Sequence, residues 1–135
     1  MRKRRLLERY RGASHWSDQT TVIGPRFTLS GEIETEDAVV VAGRMEGPIR
    51  TRDIVHVLAG AVVLGSIEAR AAVVEGAVEG PMAIVEELEL GHTARVRGDL
   101  DAGLIAIGEG AFHQGHLRAR NGTVTRFREQ RKLRQ

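Results

Sequence analysis

Val39-Val40-Val41-Ala42-Gly43-Arg44-Met45-Glu46-Gly47-Pro48-Ile49 is the stretch that decides the fold. Val39 and Val41 stand two apart, as in a short strand with one apolar face. Met45 and Ile49 then flank Gly47, each two residues from it. Val, Ile and Gly at period two, with a proline directly after a glycine, are wrong for a helix and right for short strands joined at bends. Three apolar stops separated by bends imply three inward-facing sides in one turn of chain.

The same pattern recurs outward from here in both directions. A Gly followed two residues later by an aliphatic appears at Gly31/Ile33, Gly47/Ile49, Gly65/Ile67, Gly80/Met82, Gly98/Leu100 and Gly115/Leu117, at intervals of 15 to 18 residues. A second column lies two residues before each glycine: Leu29, Met45, Val63, Val78, Val96 and, where it breaks, His113. A short extended run precedes each: Ile23, Val39 with Val41, Val55 with Val57, Val73 with Val74, Leu88 with Leu90, and Ile105 with Ile107. The variation in interval is confined to one corner, between that run and the next marker glycine, as expected of a loop beside sides that must stay in register. A period this long with three columns describes a β-solenoid. Six coils at about 4.8 Å each make a rod roughly 29 Å long.

Composition agrees. Of 135 residues 16 are Gly, and only five are aromatic: Tyr10, Trp16, Phe27, Phe112 and Phe127. An interior filled almost without rings has to be narrow. With no cysteine there is neither a disulfide framework nor a thiolate zinc site. No stretch reaches the roughly 18 apolar residues of a membrane span, and Met1-Arg2-Lys3-Arg4-Arg5 is followed by Leu6 and Leu7 but no hydrophobic region, so no export is expected. The net charge of +2 divides unevenly: residues 1–20 carry +4, residues 21–115 carry −8 and residues 116–135 carry +6. Such asymmetry concerns partners rather than fold.

Thr21-Val22-Ile23-Gly24-Pro25, the Val40 to Ile49 segment, and Ala94-Arg95-Val96-Arg97-Gly98-Asp99-Leu100 together resemble the bactofilins, and the resemblance spans roughly residues 20 to 118. It implies a bacterial, polymer-forming cytoskeletal protein: a right-handed, three-sided β-helix that assembles end to end into non-polar filaments without nucleotide and scaffolds cell-shape or envelope machinery. The handedness comes from the resemblance alone. The expected organisation is a basic N-terminal tail (1–20), an all-β solenoid of about six coils (21–118) and a basic C-terminal tail (119–135), with both tails flexible.

Terminal coils of a stack carry unpaired backbone groups, a template for another chain. Phe27 and Phe112, the two rings within the repeats, fall in the first and last coils, where each either closes the core or meets a second subunit. Ile23, Phe27, Ile105, Ile107 and Phe112 are therefore the candidate polymer contacts. Arg2, Lys3, Arg4, Arg5, Leu6 and Leu7 suit an anionic membrane surface, at about 1 kcal/mol per basic side chain. Nucleic acid phosphates would serve the same charges, as a weaker alternative, and a solvated tail remains the plain reading. Arg126, Arg128, Arg131, Lys132 and Arg134 repeat the theme with only Phe127 and Leu133 to insert. A cytoplasmic location, at the inner face of the membrane if the tail engages it, follows as an expectation, with client proteins unspecified.

The enzymatic rival is a hexapeptide-repeat acyltransferase or zinc hydratase on a left-handed solenoid. It needs equal six-residue sides, whereas the steps here run 6 from Ile49 to Val55, 6 from Val57 to Val63 and 4 from Val63 to Ile67. Zinc would need three converging imidazoles. Among His15, His56, His92, His113 and His116 only His92 and His113, placed at the variable corner of successive coils, are expected to approach each other. No nucleophile-elbow, phosphate-loop or His-Glu-x-x-His motif occurs. No catalytic residue, cofactor or metal is expected.

Overall fold

The computed structural model describes the backbone of residues 20–127 and the side chains of residues 20–121. Every regular element in that range is a β-strand, and three strands make one coil. The coils are β1 (Thr20–Ile23), β2 (Thr28–Ser30), β3 (Ile33–Thr35); β4 (Ala38–Val41), β5 (Arg44–Glu46), β6 (Ile49–Thr51); β7 (Ile54–Val57), β8 (Val62–Leu64), β9 (Ile67–Ala69); and β10 (Ala71–Val74), β11 (Ala77–Glu79), β12 (Met82–Ile84). The fifth coil is β13 (Glu87–Leu90), β14 (Arg95–Arg97) and the first part of β15 (Leu100–Gly108). β15 rounds the corner at Gly103 to open the sixth coil, which continues through β16 (Phe112–Gln114) into β17 (Leu117–Phe127).

Each strand pairs in parallel with its equivalent one coil away, which defines three sides. Side 1 stacks β1, β4, β7, β10, β13 and the second part of β15, side 2 stacks β2, β5, β8, β11, β14 and β16, and side 3 stacks β3, β6, β9, β12 and the first part of β15. The three apolar columns become three inward ladders. Val39, Val55, Ala72, Leu88 and Ile105 are in register on side 1. Met45, Val63, Val78 and Val96 share one ladder on side 2, and Ile49, Ile67, Met82 and Leu100 share another on side 3. These residues are fully buried in one continuous core. The run at Val73-Val74 needs a correction: Val74 and Ala72 point inward, and Val73 belongs to an apolar cluster on the outer face. Period two dictates this, since Val74 pairs with Val57, whose side faces the core.

The marker glycines occupy the bend between sides 2 and 3, and their φ values run from +137° to +152°. Gly47 shows why no side chain fits: a Cβ there would lie 1.8 Å from the Gly31 carbonyl oxygen of the coil below. Its own N–H donates across the stack to the Leu64 carbonyl at 2.8 Å. The variable corner joins sides 1 and 2. Short crossings at residues 42–43 and 75–76 stand against four-residue crossings at 24–27, 58–61 and 91–94.

At the C-terminal end the solenoid goes further than residue 118. From Leu117 to Ala119 β17 stacks on side 3, and from Thr123 to Phe127 it stacks on side 1, pairing with Leu104 through Gly108. Residues 119–127 are therefore a paired strand and not a flexible tail. The cause is ordinary sheet chemistry, since Thr123-Val124-Thr125 are good strand formers set over an unoccupied ladder edge.

Candidate polymer interface

The two ends of the rod are the places where the repeat runs out of partners. Among the described residues β1, β2 and β3 pair on one edge only, with β4, β5 and β6. Leu29 sits in the same inward ladder as fully buried Met45 and yet is 39% exposed, because no coil lies beneath it. Phe27 is 70% exposed at the corner leading out of β1, and Val22 is 60% exposed on the outside of that strand. Gly31 confirms the open end: an added Cβ would meet nothing, whereas the next five marker glycines abut the coil before them. Ile23, by contrast, faces inward and is buried in the core.

The other end is more closed. Phe112, at the start of β16, is 42% exposed. Ile105 and Ile107 are buried because Val124 and Arg126 of β17 are paired over them. They lie one layer below the edge, so the terminal layer on side 1 is Thr123 to Phe127, and the two isoleucines are corrected from contact residues to core. His113 fills the end of the side 2 ladder with its Nε2 2.9 Å from the Gly98 carbonyl oxygen, so it lies on that side rather than at the variable corner. Gly98 donates its N–H to the Gln114 carbonyl at 2.9 Å, continuing the glycine ladder upward; Gly115, next in the column, has no described coil above it to receive its N–H.

Charged groups fasten each end layer to its neighbour. Ser30 donates to Glu46 at 3.2 Å, and Arg44 to the other Glu46 oxygen at 2.6 Å. These hydrogen bonds hold the Glu46 carboxyl below its ordinary pKa. Asp99 accepts from the backbone N–H of His116 at 3.1 Å, with the imidazole 3.4 Å away, and its pKa is lowered for the same reason. Arg120 lies within ion-pair reach of Asp101 and donates to the Ile84 and Val85 carbonyls at 2.8 Å each, clamping β17 onto the corner below. Sequence reasoning missed Arg120, Val22 and Leu29. Leu29 carried a signal, since a column residue in the first coil has a neighbour on one side only.

Elsewhere the surface is laddered rather than cleft. Arg50 lies between Glu34 and Glu68 at 3.9 and 3.3 Å, and Arg70 between Asp53 and Glu86 at 3.0 and 3.2 Å. Such exposed pairs contribute at most about 1 kcal/mol each. No group of three or more His, Asp or Glu side chains able to hold a metal occurs among the described residues. His92 is exposed at the variable corner, His56 lies 3.7 Å from Glu75, and His15 is outside the described residues. The candidate membrane-contact residues Arg2, Lys3, Arg4, Arg5, Leu6 and Leu7 also lie outside them, as do Arg128, Arg131, Lys132 and Arg134.

Stacked parallel coils ending in unpaired edges, with apolar side chains exposed at them, are the geometry of a unit that adds to itself. Against the family of polymer-forming cytoskeletal bactofilins, residues 21–118 match. The chain belongs to the bactofilin family. Among bactofilins of Myxococcus xanthus strain DK1622 it is 32% identical to BacO over 97 residues, covering 72% of this chain and 77% of BacO. It is 31% identical to BacP over the same length, which is 40% of that longer bactofilin. No solved structure matches. The matched region ends at residue 118, so the part of β17 that closes side 1 lies beyond it.

Proposed function

We propose that this polymer-forming cytoskeletal protein joins end to end through its terminal coils into filaments that need no nucleotide, and that these scaffold cell-shape or envelope machinery. The observation that carries the reading is the first coil, where Val22, Phe27 and Leu29 are exposed beside three strands whose outer edges are unpaired among the described residues. Covering a phenyl ring stabilises a junction by about 1.5 to 3 kcal/mol, and edge pairing satisfies the backbone at the same time. Phe112 plays the corresponding part at the other end. The family resemblance favours a non-polar filament in which like ends meet. A cytoplasmic polymer held at the inner membrane by Arg2 to Leu7 extends this reading, and it fits a polybasic segment followed by two leucines.

Negative-stain imaging of purified protein without nucleotide or metal tests the assembly: filaments are expected, and discrete trimers would return the acyltransferase or hydratase reading. Flotation with anionic liposomes, with and without residues 1 to 12, tests the membrane contact. Binding is expected to vanish with the segment, and retained binding by the shortened chain would contradict it.

A further inference from the structure

The outer face of side 1 differs from the other outer faces of the rod. With Val39, Val41, Val55, Val57, Ala72 and Val74 turned to the core, alternation turns Ala38, Val40, Ile54, Ala71 and Val73 outward. These five form an apolar cluster of their own and are buried, Val73 completely. Continuing the outward row, Glu89 and Ala106 are buried too. The outward row of side 3 behaves ordinarily: Glu34, Arg50, Glu68 and Ala83 are all exposed.

An outward sheet face shielded from water within a single chain requires a cover, and strands lying in the plane of the sheet do not supply one. Among the described residues Leu58 packs against the cluster from the adjoining corner. We infer that the cover is this chain's own N-terminal segment, residues 1–19. It joins the fold at Thr20, on side 1 itself. Its apolar side chains Leu6, Leu7, Tyr10 and Trp16 match an apolar face, and its +4 charge complements Glu75, Glu87 and Glu89 on or beside that face. Even at the helical rise of about 1.5 Å per residue, 19 residues reach about 28 Å, the length of the stack. Residues 128–135 carry one apolar side chain, Leu133, and match the face poorly. A segment seated this way has Leu6 and Leu7 occupied, so a membrane contact through them has to release it and bare the face.

Trp16 is the chain's one tryptophan, which makes the test direct. In the full-length protein its emission is expected to be blue-shifted and shielded from acrylamide, equally so across a dilution series. Substituting Val73→Lys, which sets a cation in the path of a basic segment, should move the emission to that of free indole and raise quenching several-fold. The double change Leu6→Asp, Leu7→Asp should do the same without touching the solenoid, and it decides the matter if the Val73 variant loses its β-sheet circular dichroism. A water-exposed Trp16 in the unaltered chain overturns the inference, as does protection lost on dilution, which would assign the cover to a second copy. Indifference to both variants overturns it as well. None of these readings depends on filaments or lipid.

Discussion

One repeating unit ends in two different ways. At the N-terminal end the core stops in the open, with Leu29 of the apolar ladder and Phe27 beside it facing solvent. At the C-terminal end β17 lies over Ile105 and Ile107, His113 closes the side 2 ladder against the Gly98 carbonyl, and Arg120 ties the last layer down. The difference lies in which residues the chain has left to spend at each end. A run of strand-forming Thr and Val with a well-placed Arg finishes one end, and the other begins with the ladder itself. It follows that the N-terminal end contributes the more adhesive junction.

The sharpest way to break that comparison is to charge the open end. Phe27→Arg is expected to abolish filaments and leave dimers joined through the C-terminal end, read by analytical ultracentrifugation. Monomers would mean that unlike ends meet, and unchanged filaments would remove Phe27 from the junction. Phe112→Arg should shorten filaments less, since Phe112 is the more covered of the two rings.

Middle and end should also respond differently to one added methyl group. At Gly80 a Cβ would fall 2.3 Å from the Gly65 carbonyl oxygen, while at Gly31, with a similar positive φ, nothing lies within 4 Å. Gly80→Ala is expected to cost about 3 kcal/mol or more, strain and clash together, and Gly31→Ala about 1 to 2 kcal/mol from strain alone. Denaturant midpoints of the two variants check this.

Arg120→Ala comes next. Releasing the Ile84 and Val85 carbonyls at a half-exposed site should cost about 1 kcal/mol. Faster hydrogen exchange confined to β17 and its neighbours in β15 is the expected signature.

Acid gives the smallest effect and touches both ends. Glu46 and Asp99 have folded pKa values below the ordinary 4.5 and 3.8. A depressed carboxylate stabilises above its ordinary pKa, and that contribution disappears as pH falls through the folded value. Amide protection at His116, corrected for intrinsic exchange rate, should therefore be intact near neutrality and decline below about pH 3.8 in step with Asp99 protonation. Asp99→Asn should remove that dependence.

The sequence reading goes as far as repetition does. Columns at Leu29, Met45 and Val63, and glycines at a fixed place in each turn, encode the coil many times over, so the three-sided stack and its register were legible. The ends were less so, because each is specified once. Val124, the single aliphatic of Thr123-Val124-Thr125, offers no period to detect, and its pairing over Ile105 depends on a ladder edge that exists only after folding. Val73 was misassigned for a related reason: two adjacent valines look alike until the register with Val57 says which one faces in. Arg120 bonds carbonyls 35 and 36 residues away in the chain, a distance at which no local pattern informs.

If subunits continue the stack from one to the next, strands lie across the filament and repeat along it. X-ray diffraction from aligned filaments tests this most directly. A strong meridional reflection near 4.8 Å is predicted, because coil spacing persists through each junction. Filaments in which the 4.8 Å spacing lies away from the fibre axis would contradict end-to-end stacking.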